Sequence, residues 1–175
     1  MTLAEIRKRA LFQAGEQEGA LGDMAQVVTQ YINEGQQALC PRGIPCEEEV
    51  EVQGGLCALG EGATDMVHLR AADGREVLNY RMENGQLSGL ADGTYTALLL
   101  REAAKLSRDT QQSELPESCH GALADYAAWR LLSNGGRTQQ LRAEFYRQRF
   151  LMEAARQEFR MENQMGSRKR INRYT

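Results

Sequence analysis

The sequence holds few of the parts that chemistry needs. It has two histidines, His68 and His120, and four cysteines, Cys40, Cys46, Cys57 and Cys119, with no C-x-x-C and no paired Cys/His spacing. Zinc sites depend on such spacing, so the thiols read as single apolar-like packing residues and no metal is expected. Cys119 and His120 are adjacent, but neighbours on a helix point about 100° apart, so they do not form a nucleophile and base. His68 alternates with Val67 and Leu69, which puts it on the opposite, exposed face of a strand. Gly54, Gly55, Gly60 and Gly62 form neither GxxxxGK[ST] nor GxGxxG and read as turns rather than a phosphate cradle. No carboxylate pair sits in a motif that fixes its geometry. No catalytic, cofactor-binding or metal-binding residue is therefore assigned, and the chain is not read as an enzyme.

Long apolar runs are also missing, which excludes a membrane span. Arg7, Lys8 and Arg9 are not followed by the apolar core of a signal peptide, so the chain is expected to stay in the cytoplasm where it is made. At 175 residues, 42% hydrophobic and 26% charged, it is long enough for one domain with a core of its own.

Charge is unevenly spread. From Arg137 onward ten Arg/Lys stand against four acids, a segment of +6, so the preceding residues hold −9 of the net −3. An acidic body with a basic end predicts an acidic partner for the C-terminus.

Taken in order, Thr2-Leu3-Ala4-Glu5 has capping-box spacing and opens a first helix over 2–15. Leu3, Ile6, Ala10 and Ala14 recur on one face, and Gly15 ends it. A second helix, 23–40, presents Met24, Val27, Val28, Tyr31, Ile32, Ala38 and Leu39. It stops before Pro41, which disfavours helical geometry in the preceding residue. Gly35 lowers its propensity and offers a close helix contact. The period then changes to two. Residues 47–102 read as a small antiparallel sheet of about four to six short strands. Turns fall at Asp73-Gly74, Asn84-Gly85 and Asp92-Gly93, and 94–101 is the most apolar strand.

A third helix, 116–134, starts at Pro116. It buries Cys119, Ala122, Leu123, Tyr126, Ala127 and Leu131, and Trp129 reads as a packing residue. The break at 133–136 makes its successor an antiparallel neighbour. That fourth helix, 138–163, spans about 39 Å at 1.5 Å per residue. Leu141, Phe145, Gln148, Met152, Ala155 and Phe159 form a heptad-like seam. Tyr146, Phe150 and Leu151 flank the seam and widen the apolar face beyond the needs of one partner helix. Leu141, Phe145, Tyr146, Phe150, Met152 and Phe159 are therefore assigned to subunit packing. Arginines alternate with acids along the helix (Arg142, Glu144; Arg156, Glu158; Arg160, Glu162), as on a solvated or subunit-facing surface. Gly166 breaks the pattern, leaving 164–175 as a basic arm without periodicity. The fold class expected is α+β: a four-helix bundle with an inserted small antiparallel sheet and a flexible C-terminal tail.

Several segments together carry a resemblance. They are YINEGQQAL (31–39), GTYTALLLRE (93–102), ELPESCHGALADYAAWRLL (114–132) and FYRQRF (145–150). Leu115, Pro116, His120, Ala122, Leu123, Tyr126, Ala127 and Ala128 match a leucine-proline, histidine, alanine-rich helix pattern. In these features, and in its order of parts over nearly the whole length, the chain resembles the head-to-tail adaptor (connector, neck or head-completion) proteins of tailed bacteriophages.

The resemblance implies a structural virion protein at the neck, made in the host cytoplasm. It implies a homo-oligomeric ring, commonly a dodecamer, docked on the portal protein and meeting a tail or nozzle protein below. Such a ring extends the channel through which double-stranded DNA passes during genome ejection. The portal-reaching segment would be 164–175, giving Arg168, Lys169, Arg170, Arg173 and Tyr174 as portal-binding residues. An alternative is a nucleic-acid-binding packaging accessory protein that uses the basic tail, which the acidic body disfavours. A third reading, a virion-borne cell-wall hydrolase, has no nucleophile, metal set or fixed acid pair behind it.

Overall fold

The computed structural model describes residues 1–16, 21–60 and 62–169; of 21–23 and 164–169 it describes the backbone alone. Four helices and a set of short antiparallel strands make an α+β protein. The chain divides into two compact units, a helical one from 1–41 and 103–175, and a β unit from 42–102.

In the helical unit, α1 (Leu3–Ala14) starts on the capping box read from the sequence. Glu5 N donates to the Thr2 hydroxyl, and Thr2 N donates to Glu5 Oε2 at 2.8 Å. Leu3, Ile6, Ala10 and Ala14 are buried, and Gly15 closes the helix in the left-handed conformation at φ 84°. Linker carbonyls take up further free N–H groups of the first turn, with Leu3 N donating to Gln111 O and Ala4 N to Asp109 O. Arg7 is ion-paired to Asp109.

The helix α2 (Leu21–Leu39) begins two residues before the expected start at 23 and ends ahead of Pro41. Val28, Ile32 and Leu39 are buried, whereas Val27 and Ala38 are exposed. Gly35 and Gln36 take the inner places instead. Asn33 and Gln36 hold the 103–116 linker. Asn33 Nδ2 donates to Leu106 O (3.0 Å), Leu106 N donates back to Asn33 Oδ1 (2.8 Å), and Ser113 Oγ donates to Gln36 Oε1 (2.5 Å). These bonds satisfy linker backbone that would otherwise be buried without partners.

Helix α3 (Glu117–Leu132) packs against α1, α2 and α4. Contact with three helices explains why seven consecutive residues, Ala122 to Ala128, are buried. Six of them are alanine, leucine or tyrosine, and Arg130 joins α3 to α2 through Glu34 at 2.7 Å. His120 is buried, with Nδ1 2.7 Å from the Met1 nitrogen and Nε2 2.9 Å from Leu115 O, so both ring nitrogens are occupied. Leu131, expected inside, is only half-buried.

Helix α4 (Arg137–Lys169) has 33 residues, about 50 Å. It corrects two expectations. The helix does not stop at 163, and Gly166 does not break it; one glycine costs about 1 kcal/mol of propensity, which a long flanking helix absorbs. The segment from 164 is thus helical through Lys169 rather than aperiodic.

The β unit contains β1 (Ile44–Val52), β2 (Leu56–Ala58), β3 (Ala63–Ala71), β4 (Glu76–Val77), β5 (Arg81–Glu83), β6 (Gln86–Ser88) and β7 (Gly93–Arg101). Their pairing gives an antiparallel four-stranded sheet, β1-β7-β3-β4, and an antiparallel three-stranded one, β2-β6-β5. The apolar β7 is central in the larger sheet, which accounts for its composition. Val50, Val52, Leu69, Tyr95, Ala97 and Leu99 share one core with Cys57 and Leu87 from the smaller sheet. The turns at Asp73-Gly74 and Asn84-Gly85 fall where expected, the second with φ 52° at Asn84 and 73° at Gly85.

His68 corrects a further expectation, being 6% exposed rather than on the open face. The register with β7 shifts between Met66 and His68, leaving Val67 as an extra residue. Past the bulge His68 pairs with Leu98 and Leu69 with Ala97, so the two point to opposite faces and His68 is buried on the face away from the Leu69 core.

Candidate functional site

Among the described residues, the outer face of α4 carries several large apolar side chains that are not spent inside the helical unit. Along α4 the buried residues are Ala143, Phe150, Gln157 and Met161, with Tyr146, Arg147, Glu153 and Ala154 half-buried between them. Those positions repeat at close to 3.5 residues and form the seam against α3. Phe150 anchors it, 3% exposed, with its ring 4.8 Å from Tyr126 and 6.4 Å from Trp129. Tyr126 and Trp129 meet edge to face at 5.2 Å, and Arg147 lies over the Trp129 ring. Trp129 is therefore engaged in helix packing.

The series read from the sequence is the other one. Leu141, Phe145, Met152 and Phe159 are 69%, 58%, 58% and 65% exposed. Gln148 and Ala155, the remaining members, are also exposed. At 100° per residue the two series lie on opposite sides of the helix. The seam assigned to the intrachain helix partner thus faces away from α3. Of the six residues assigned to subunit packing, Leu141, Phe145, Met152 and Phe159 are free of the core. Tyr146 is half-buried beside Ala14, Leu132 and Ala143, and Phe150 belongs wholly to the core. Arg168 and Lys169 sit in the last turn of α4, and Arg170, Arg173 and Tyr174 lie outside the described residues.

One edge of this outer face carries Arg142, Arg149 and Arg156, each fixed by a contact. Arg142 Nη2 donates to Gln13 O at 2.6 Å, Arg149 Nε is 3.2 Å from Asp125 Oδ2, and Arg156 Nη1 is 3.4 Å from Glu153 Oε2. Asp125 is buried on α3 and accepts a second bond from Gln13 Nε2 at 2.8 Å. Burial raises its pKa above the ordinary 3.8, against the opposing pull of Arg149, the Gln13 bond and Arg9. Beside this edge lies an open cleft of about 420 Å³, lined among others by Arg9, Gly121, Asp125, Arg149, Met152 and Arg156.

Asp125, Gln13 and the cleft were not found by sequence reasoning, because a buried acid in an alanine-rich helix leaves no periodic mark. The recurring Arg-x-Glu spacing was the available signal. Among the described residues no helix is long and apolar enough to cross a membrane. No family model matches the sequence, and no curated protein matches it significantly.

Proposed function

We propose that this chain is a structural, non-enzymatic ring protein of a tailed-bacteriophage neck, docking on the portal and connecting capsid to tail. In this reading the four helices act as one bundle. The outer face of α4 meets neighbouring copies, and 164–175 is the portal-reaching arm, with α4 supplying its first turns and Arg168 and Lys169. The observation that carries the reading is the second heptad-spaced apolar series of α4. Four large apolar side chains exposed on one stripe, while the opposite face already fills the seam with α3, fit a partner of the same kind. A ring also multiplies weak arm contacts through effective concentration, so each arm needs little affinity.

The nucleic-acid reading is less well supported, since the residues before Arg137 carry a net charge of −9, which repels phosphate. It remains testable by salt: a phosphate-binding tail loses DNA affinity steeply as salt rises.

The decisive experiment images the protein mixed with its portal. A ring on one portal face is expected for the full chain, and removal of 164–175 is expected to leave a folded protein that does not dock stably. Wild-type portal occupancy by the truncated protein overturns the arm; no ring from the full chain overturns the function.

A further inference from the structure

Residues two apart on a helix point 200° apart, so the pairs Arg142/Glu144, Arg149/Leu151 and Arg156/Glu158 send their members to opposite flanks of α4. Each pair follows the last by seven residues, so the flanks stay in phase along the helix. One flank is a row of three arginines beside the open cleft; the other reads Glu, Leu, Glu. The apolar stripe of Leu141, Phe145, Met152 and Phe159 runs midway between them. Leu151 is 41% exposed. Glu144 accepts from Arg147 Nη1 at 3.0 Å and from Gln148 Nε2 at 2.6 Å, and Glu158 is exposed.

We infer that successive copies of this chain pack α4 beside α4 in the same direction, with the Arg142–Arg149–Arg156 flank of one copy facing the Glu144–Leu151–Glu158 flank of the next. Charge complementarity decides both the occupant and the direction. An antiparallel, two-fold contact sets arginine against arginine. The parallel contact sets arginine against glutamate and brings Leu151 to the cleft beside Met152. Because the two surfaces differ, the contact is heterologous, and it forms a closed ring where the rotation between copies divides a full turn. Rotation without rise puts equal residues at equal heights, and a two-residue offset is about 3 Å along the axis. All three pairs therefore align at once. The contact rests on the ring reading above and adds its geometry.

The test uses Arg156→Glu and Glu158→Arg, two exposed positions outside the core, with far-UV circular dichroism and a cooperative urea transition required of each. By sedimentation, at a concentration where wild type forms closed oligomers, each variant alone is expected to remain monomeric. An equimolar mixture is expected to regain an even-numbered oligomer of alternating copies, and the chain carrying both exchanges is expected to assemble by itself. If either single variant fails to fold, the exposed Leu151→Lys replaces it, with loss of the oligomer expected. Assembly of the single variants at wild-type concentrations, or a folded mixture and a folded double exchange that both stay monomeric, overturns this contact alone. Wild type that stays monomeric both free and on portal overturns the ring reading and this contact with it.

Discussion

Gly35 on α2 and Tyr126 on α3 approach so closely that a methyl group on Gly35 requires the tyrosine to give by a few tenths of an ångström. A Cβ on Gly35 would lie 3.2 Å from both Cβ and Cγ of the tyrosine. Both atoms sit near the α3 backbone, so they have less freedom to give than the end of a side chain. Gly35→Ala ordinarily adds about 0.5–1 kcal/mol of helix stability. Here overpacking of about 1–3 kcal/mol is expected to dominate, giving a net loss in urea titration. A stabilised variant would refute the close contact.

Phe150 and Phe145 are five residues apart on α4 and have opposite fates. Phe150→Ala empties the site against Tyr126 and Trp129 and is expected to cost about 3–5 kcal/mol. Phe145→Ala removes an exposed ring and is expected to change monomer stability by at most about 0.5 kcal/mol while weakening self-association. Equal losses in denaturant titration would contradict the assignment of faces.

Asp125 gives a pH signature. Its folded pKa is raised, so between the ordinary 3.8 and the folded value the native state holds a proton that the unfolded chain has released. Its contribution to stability therefore falls as pH rises through that window and is level above it. Asp125→Asn removes the slope. Wild-type stability minus variant stability, from urea curves at a series of pH values, is expected to decline across the window. A difference that rises with pH would show that Arg149 outweighs burial.

Cys40 is held protonated mainly by burial, with Cys119 adding to the effect, and its pKa is pushed up to about 11. Because the thiolate is the reactive form, alkylation of Cys40 by iodoacetamide in the native protein at pH 8 is expected to be slow and to climb steeply towards pH 11. Peptide mapping after timed quenching measures it; rapid labelling at pH 8 counts against the burial.

Much of the fold was legible because its signals are local. The Thr2–Glu5 box, Gly15, Pro41, and the Asp73-Gly74 and Asn84-Gly85 turns act through their own backbone geometry, and each marks the boundary expected of it. Faces were harder. The helix α4 carries two heptad series half a turn apart, and the outer one is the more apolar, so counting apolar residues selects the side that turns away from α3. The inner side is held by Phe150 and Met161 with Ala143 and Gln157 between them, a series with fewer large apolar residues than the outer one. Val67 misled in the same way. One extra residue in β3 takes Val67 out of the alternation, so Met66 rather than Val67 shares the face of Leu69, and nothing in the strand's own composition announces it. The arginine row was visible as spacing, but its anchoring by Gln13 and Asp125 needs residues more than a hundred positions away for Gln13 and in another helix for Asp125.

The pairing of Ile44 with Arg101 has a consequence for how the chain tolerates change over evolution. The β unit leaves and returns through adjacent antiparallel strands, so its two ends are one strand spacing apart, about 5 Å. A segment with its own core and touching ends behaves as a cassette. Lengthening, trimming or exchanging it changes closure entropy only logarithmically, about 0.6 kcal/mol per doubling of length. Lengthening or trimming within 44–101 is therefore expected to cost the helices on either side little, since the adjacent ends of the segment stay where they are.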